Sequence, residues 1–205
     1  MFGKVASDMM GLSDVGTIIA PQDYDKVDAD DYVMHEDQEK IYFVIKSKSD
    51  EYCFTNKAFI HLDGQSAVSK KRLLKRYDYY LHPISFVTIE TAGTVDLDVE
   101  IKFKLGENLY SIDVKKSQLE QLKDLYKSLL KISETMADNA MALEYAKQSL
   151  QIASSTLGRV NNQQDTPLTA SFNEINQHAF TWLYQNTQKY RMKDFGYIFE
   201  QYINN

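Results

Sequence analysis

The run Leu97-Asp-Val-Glu-Ile-Lys-Phe-Lys-Leu105 decides the fold. Leu97, Val99, Ile101, Phe103 and Leu105 alternate strictly with Asp98, Glu100, Lys102 and Lys104. Successive side chains on a strand point to opposite faces, so this run predicts a strand with one buried and one wet face. Asp96, Asp98 and Glu100 read as part of that solvated face, spaced too widely along the chain to hold one ion unaided. Past Val114 the rhythm changes. Leu119, Leu122, Tyr126, Leu129 and Leu130 fall at i, i+3, i+7, i+10 and i+11, the pattern of an amphipathic helix. Ser117 reads as its N-cap, with Glu120 completing a capping box. The junction near Val114 therefore divides a β front from a helical rear.

Upstream of the run, β signals continue. Ile41–Ile45, Tyr52–Phe54 and Ala58–Leu62 are β-branched and aromatic, and Thr55-Asn56-Lys57 reads as a tight turn between the last two. Asp63-Gly64 is a second turn signal. Val68 to Leu81 reads as a long strand broken by Pro83, and Ile84 to Glu90 as another, ended by Ala92-Gly93. Gly106 and Asn108 turn the chain into a last strand, Leu109 to Val114. A short helix is expected at Val5–Met10, ended by Gly11. Downstream, Met136, Leu143, Leu150 and Leu157 mark the seam of a second helix from about Ser133, with small Ala137, Ala146 and Ala153 beside it. After a polar loop, Thr166 and Pro167 open a third helix carrying Phe172, Ile175, Ala179, Trp182 and Leu183. A short final helix carries Phe195, Ile198, Phe199 and Tyr202. Seven antiparallel strands followed by one amphipathic helix describe a small barrel whose opening the helix closes.

Composition narrows the function. Apolar types make up 43% of the chain and charged types 25%, enough for a packed core. Net charge is −6, which argues against nucleic-acid binding. The charge is unevenly placed. Asp23, Asp25, Asp28, Asp30, Asp31, Glu36, Asp37 and Glu39 face one base, Lys26, in the Ala20–Glu39 stretch, whereas Lys70, Lys71, Arg72, Lys75 and Arg76 follow one another without an acid. The two blocks can be solvated surfaces, or they can face one another within the fold or between subunits. Cys53 is the chain's one cysteine and reads as a small inert hydrophobe. No apolar run is long enough to cross a membrane and no secretory signal is read, so the expected compartment is the cytoplasm.

Catalytic signals are poor. His35, His61, His82 and His178 are scattered, and no HExxH, GxSxG, GxGxxG or Walker loop occurs. His61 reads as a surface or hydrogen-bonded histidine. No catalytic, cofactor or metal residue is assigned, and no cofactor is expected.

Three stretches resemble the bacterial pleckstrin-homology (PH) domain family: Phe54-Thr-Asn-Lys57, Ile89-Glu-Thr-Ala-Gly93 and Leu97-Asp-Val-Glu-Ile101. Thr55, Asn56, Lys57, Glu90, Thr91, Ala92, Gly93, Asp96, Leu97, Asp98 and Glu100 carry the match. The family commonly has Arg after the Lys, where this chain has Ala58. The helical remainder resembles the C-terminal extension of YvbH-like proteins. The resemblance implies a mainly β plus α fold, a PH-like seven-stranded antiparallel barrel capped by a C-terminal helix and followed by an α-helical hairpin. It divides the chain into an N-terminal segment 1–29, a PH-like domain 30–132 and a helical extension 133–205 that serves as an oligomerisation region. It also implies ring-like assembly rather than catalysis.

The leading expectation is thus a non-enzymatic cytoplasmic protein that forms a homo-oligomer through its sheet and helical extension, with Met136, Leu143, Leu150, Leu157, Phe172 and Trp182 as contacts. The alternative is a peripheral binder of anionic membrane headgroups through Lys70, Lys71, Arg72, Lys75 and Arg76, since eukaryotic relatives hold headgroup phosphates with bases on early strands and loops. Each exposed base near an anionic bilayer is worth on the order of 1 kcal/mol.

Overall fold

A computed structural model describes residues 14–64, 72–91, 98–160 and 168–203, with side chains for all of these except 157–160 and 168–171. The expected helix at Val5–Met10, the residues Lys70 and Lys71, the stretch 92–97 and the helix-opening Thr166-Pro167 lie outside the described residues. The chain divides into two compact units. The first comprises 1–133 and 193–205, the second 134–192.

Among the described residues the first unit holds eight strands: β1 (Thr17–Ile18), β2 (Ile41–Lys46), β3 (Glu51–Thr55), β4 (Ala58–Gly64), β5 (Arg72–Asp78), β6 (Ile84–Glu90), β7 (Asp98–Leu105) and β8 (Asn108–Lys115). They form two antiparallel sheets, β1-β2-β3-β4-β5 and β6-β7-β8. The expected seven-stranded barrel is therefore corrected: neither sheet closes. Two local features account for it. At the junction of β5 and β6 the amides of Leu81 and His82 turn back onto the Asp78 carbonyl, and Pro83 has no N–H to offer a ladder. The register of β6 against β7 then slips between Ser85 and Thr88, where Phe86 takes φ 53°. At the other junction one isolated bridge links Gly16 to Val114. A Cβ on Gly16 would lie 2.4 Å from Ile45 Cγ2 and 3.1 Å from the Asp113 carbonyl oxygen, so a side chain there would crowd both β2 and β8.

The core lies between the two sheets. Phe54 and Phe59 from the larger sheet meet Phe103 and Tyr110 from the smaller, with ring centroids 4.7–5.8 Å apart across the interface. The outer face of the larger sheet is covered as well. The acidic stretch winds into three 3₁₀ turns, Pro21–Lys26, Asp28–Tyr32 and His35–Asp37. They press Val27, Ala29 and Val33 onto Val44, Cys53, Ile60 and Leu62. With both faces covered, β4 is buried at nearly every position instead of alternating. β7 keeps its alternation on the apolar side, but Asp98, expected to be solvated, is 6% exposed.

The helical rear begins with a 3₁₀ turn at Lys116–Gln118, so Ser117 sits inside the turn and is not a cap. One helix, α1 (Leu119–Val160), follows without interruption where two were expected, because no Gly or Pro separates Leu130 from Ser133. Its wholly buried face is Leu122, Leu125, Leu129 and Ile132. Two side chains, one from the 3₁₀ turn and one from α1, pin the start of the helical rear to the sheets. Gln118 pairs with the backbone of Ile18 on β1, accepting from its N–H (2.8 Å) and donating to its carbonyl (3.0 Å), and Ser133 donates to the Ile84 carbonyl on β6 (2.7 Å). The second unit contains the rest of α1 and α2 (Leu168–Tyr190). The last helix, α3 (Gly196–Tyr202), returns to the first unit. There Phe195, Ile198 and Phe199 are buried, and Tyr79 meets both Phe195 and Phe199.

Candidate functional site

Two regions compete for the role: the basic strand β5 and the helical unit. On β5 the described bases do not stand free. Arg72 binds Asp28, with Glu51 3.8 Å away, and Arg76 reaches Glu39 at 3.0 Å and Asp78 at 2.9 Å. On the other side of the strand Lys75 binds Asp63 at 2.6 Å. Asp28 and Glu39 come from the acidic stretch, so the two charge blocks face one another within the fold.

Like Glu51, the Arg76 partner Glu39 is 1% exposed. Burial alone would raise its pKa. Hydrogen bonds from the Thr55 hydroxyl, the Arg76 guanidinium and the Met34 N–H outweigh burial and hold the carboxyl below its ordinary range. Burial also pushes the Cys53 thiol well above the usual range, in keeping with an inert role.

The Thr55-Asn56-Lys57 turn ties several parts of this unit together. Thr55 Oγ1 accepts from the N–H groups of Lys57 (3.1 Å) and Ala58 (2.8 Å). Asn56 accepts from the Lys40 N–H at 2.8 Å and donates to Asp194 at 2.6 Å, while its carbonyl accepts from the Phe195 N–H at 2.8 Å. Lys57 donates to the Asp37 carbonyl. Ala58, at the position where the family commonly has arginine, is wholly buried. The returning tail is held further by Tyr42, which stacks on Phe199 at 5.3 Å and donates to Glu200 at 2.7 Å. This turn serves architecture. Its residues are matched by motif, but they are occupied within the chain.

The chain belongs to the bacterial PH domain family. Residues 9–133 match the family's domain, and residues 144–205 match the YvbH-like oligomerisation region. The protein YvbH of Bacillus subtilis (strain 168), described as uncharacterized, is 57% identical over 205 residues, covering 100% of both chains. A crystal structure of a PH-domain-containing bacterial protein from Exiguobacterium sibiricum 255-15 is 52% identical, with TM-score 0.86, covering 93% of this chain and 100% of that one. The PH fold class is not associated with catalysis. Among the described residues no helix is long and apolar enough to cross a membrane.

In the helical unit the expected contact residues divide by face. Met136, Leu143 and Leu150 on α1 are half-buried. Trp182 on α2 donates its indole N–H to the Ala146 carbonyl at 3.4 Å, which sets α2 against the face that Leu143 and Leu150 share. Phe172 and Trp182 nonetheless stay largely exposed, at 66% and 45%. The side chain of Leu157 lies outside the described residues. Sequence periodicity passed over a second stripe. Met141, Tyr145 and Ile152 are exposed and fall within about 40° of one another around α1, opposite Leu150. On α2 the exposed rings of Phe180 and Tyr184 stack with centroids 6.2 Å apart. The signal in the sequence was the i, i+4, i+11 spacing of Met141, Tyr145 and Ile152.

Proposed function

We propose that this PH-domain protein acts by homo-oligomerisation, with the helical unit as the contact surface and the PH-like unit as the body that assembly displays. The carrying observation is that both helices keep exposed apolar side chains: the outward stripe Met141, Tyr145 and Ile152 on α1, and the rings Phe172, Phe180, Trp182 and Tyr184 on α2. Two helices bury one face each against the other, and a large apolar surface left over marks an interaction site. The match of 144–205 to an oligomerisation region supports the same reading. Arg72, Lys75 and Arg76 already hold acids of their own chain, so the headgroup reading of β5 gains no support.

Size-exclusion chromatography with light scattering tests the proposal. The wild-type chain is expected to run as a multiple of its single-chain mass, and Tyr145→Glu/Ile152→Glu is expected to run as a smaller species with an unchanged circular dichroism spectrum. A wild-type monomer, or a folded double variant of wild-type mass, would refute it.

A further inference from the structure

A second site lies in the first unit, independent of the helical surface. We propose that Asp50, His61 and Asp63 bind a divalent transition-metal ion of the zinc class. His61 stands on β4, with Tyr52 of β3 and Lys75 of β5 as its register partners, and Asp63 follows two residues on along the same side. Asp50 precedes β3. One ligand atom from each of the three residues lies within 4.8 Å of the others. Zinc legs of about 2.0–2.2 Å place two ligand atoms no more than about 4.4 Å apart, so small side-chain adjustments close the site. His61 Nε2 and Asp50 Oδ1 are already 2.9 Å apart, a spacing two neighbouring ligands can share.

Two further features suit a cation there. The His61 side chain is only 8% exposed, and its Nδ1 is buried without a hydrogen-bond partner. Buried ring nitrogens are ordinarily paired; with no partner at Nδ1 no outside contact fixes the tautomer, and the ring can present an unprotonated Nε2 to an ion beside Asp50. The surroundings are also rich in acceptors. Ser49 Oγ lies 2.5 Å from Asp14 Oδ2 and 2.6 Å from Asp50 Oδ2, yet one hydroxyl has one proton to donate.

One cation reaches the cluster from its own chain. Lys75 Nζ sits 2.6 Å from Asp63 Oδ2, and both side chains are about a third exposed, at 32% and 30%. The ammonium can therefore swing into solvent when an ion takes the carboxylate. A neutral imidazole with two carboxylates suits zinc and its neighbours. Calcium takes six or more oxygen ligands, and magnesium demands a near-octahedral oxygen shell, which this set does not offer.

The test is zinc titration of the untagged full chain by calorimetry, with cobalt as a visible-absorption probe of the same site. Saturable one-to-one binding is expected. His61→Gln and Asp63→Asn should each weaken it about tenfold or more. Lys75→Met should tighten it by removing the resident competitor. Asp63→Asn changes a partly exposed side chain, so it keeps the test open if His61→Gln fails to fold. Absence of saturable binding in wild type, or equal affinity across wild type, Asp63→Asn and Lys75→Met, would overturn the site.

Discussion

Leu122, Leu125, Leu129 and Ile132 are wholly buried on α1, whereas Met141, Tyr145 and Ile152, further along the same helix, are 50–66% exposed. The backbone is one continuous helix, so local propensity does not separate the two stretches. What separates them is the rest of the chain. The first unit supplies two sheets, a crown of 3₁₀ turns and the returning α3, and apolar side chains there have partners on several sides. Among the described residues the second unit supplies one other helix, and a two-helix layer leaves each member an uncovered face. Most phenylalanines and the tryptophan show the same contrast, with Phe86 of the first unit, 74% exposed, as an exception. Phe54, Phe59, Phe103, Phe195, Phe199 and Tyr79 are fully buried in the first unit, and Phe172, Phe180, Trp182 and Tyr184 are exposed in the second.

The contrast is broken most directly by deleting one ring from each unit. Phe199 stacks on Tyr42 and meets Tyr79 at zero exposure, so Phe199→Ala should cost about 3–5 kcal/mol of folding stability. Phe180→Ala should change stability by less than about 0.5 kcal/mol, as surface substitutions do. Urea unfolding followed by near-ultraviolet circular dichroism reads the aromatic core, and fluorescence of Trp182, the chain's one tryptophan, reads the second unit. Equal losses in the two variants would erase the distinction drawn from burial.

A second substitution asks whether the charge pairs of β5 belong to the core or to a surface. Arg76 bridges Glu39 and Asp78, and Glu39 is buried beneath it. Arg76→Ala leaves that carboxylate without its counter-charge. Breaking a buried pair costs about 3–5 kcal/mol, and the 22% exposure of Arg76 places this loss at the lower end, about 3 kcal/mol. Lys75→Ala, at a more exposed pair, should cost less than about 1 kcal/mol. Comparable losses from the two would assign Arg76 to the surface class.

Local pattern carried much of this fold. Strict alternation in Val99–Leu105 gave its strand, and the Thr55-Asn56-Lys57 turn stands between β3 and β4 where its residue types require it. Non-local features were not legible. Barrel closure depends on whether β5 pairs with β6, which Pro83 and the slip near Phe86 decide together. β1 is two residues long and is held by the side chain of Gln118, a hundred positions away. Periodicity on α1 named Leu122 and Leu129 of the buried face but passed over Leu125 and Ile132, and it does not distinguish a seam within a chain from one between chains. His61 read as a bonded or surface residue because Asp50 meets it only through the β3–β4 register.

Acid sharpens the comparison with the smallest expected effect. Burial alone would raise the Glu39 pKa, but Thr55, Arg76 and the Met34 amide bring it below the ordinary value of 4.5 in the folded chain. A folded value below the unfolded one means that stabilisation is complete above about pH 4.5 and is lost as pH falls through the folded value. Asp63 is lowered in the same direction by the hydrogen bond from Lys75, so it adds a weaker loss in the acid range. Both groups lie in the first unit. Thermal melts taken from neutral pH downward should therefore show the near-ultraviolet signal of that unit weakening first, with Trp182 fluorescence following. Glu39→Gln should begin less stable at neutral pH and lose less on acidification, because glutamine has no charge to surrender. A wild-type acid slope retained in Glu39→Gln, or Trp182 responding before the aromatic core, would place the acid-sensitive contacts in the helical unit instead.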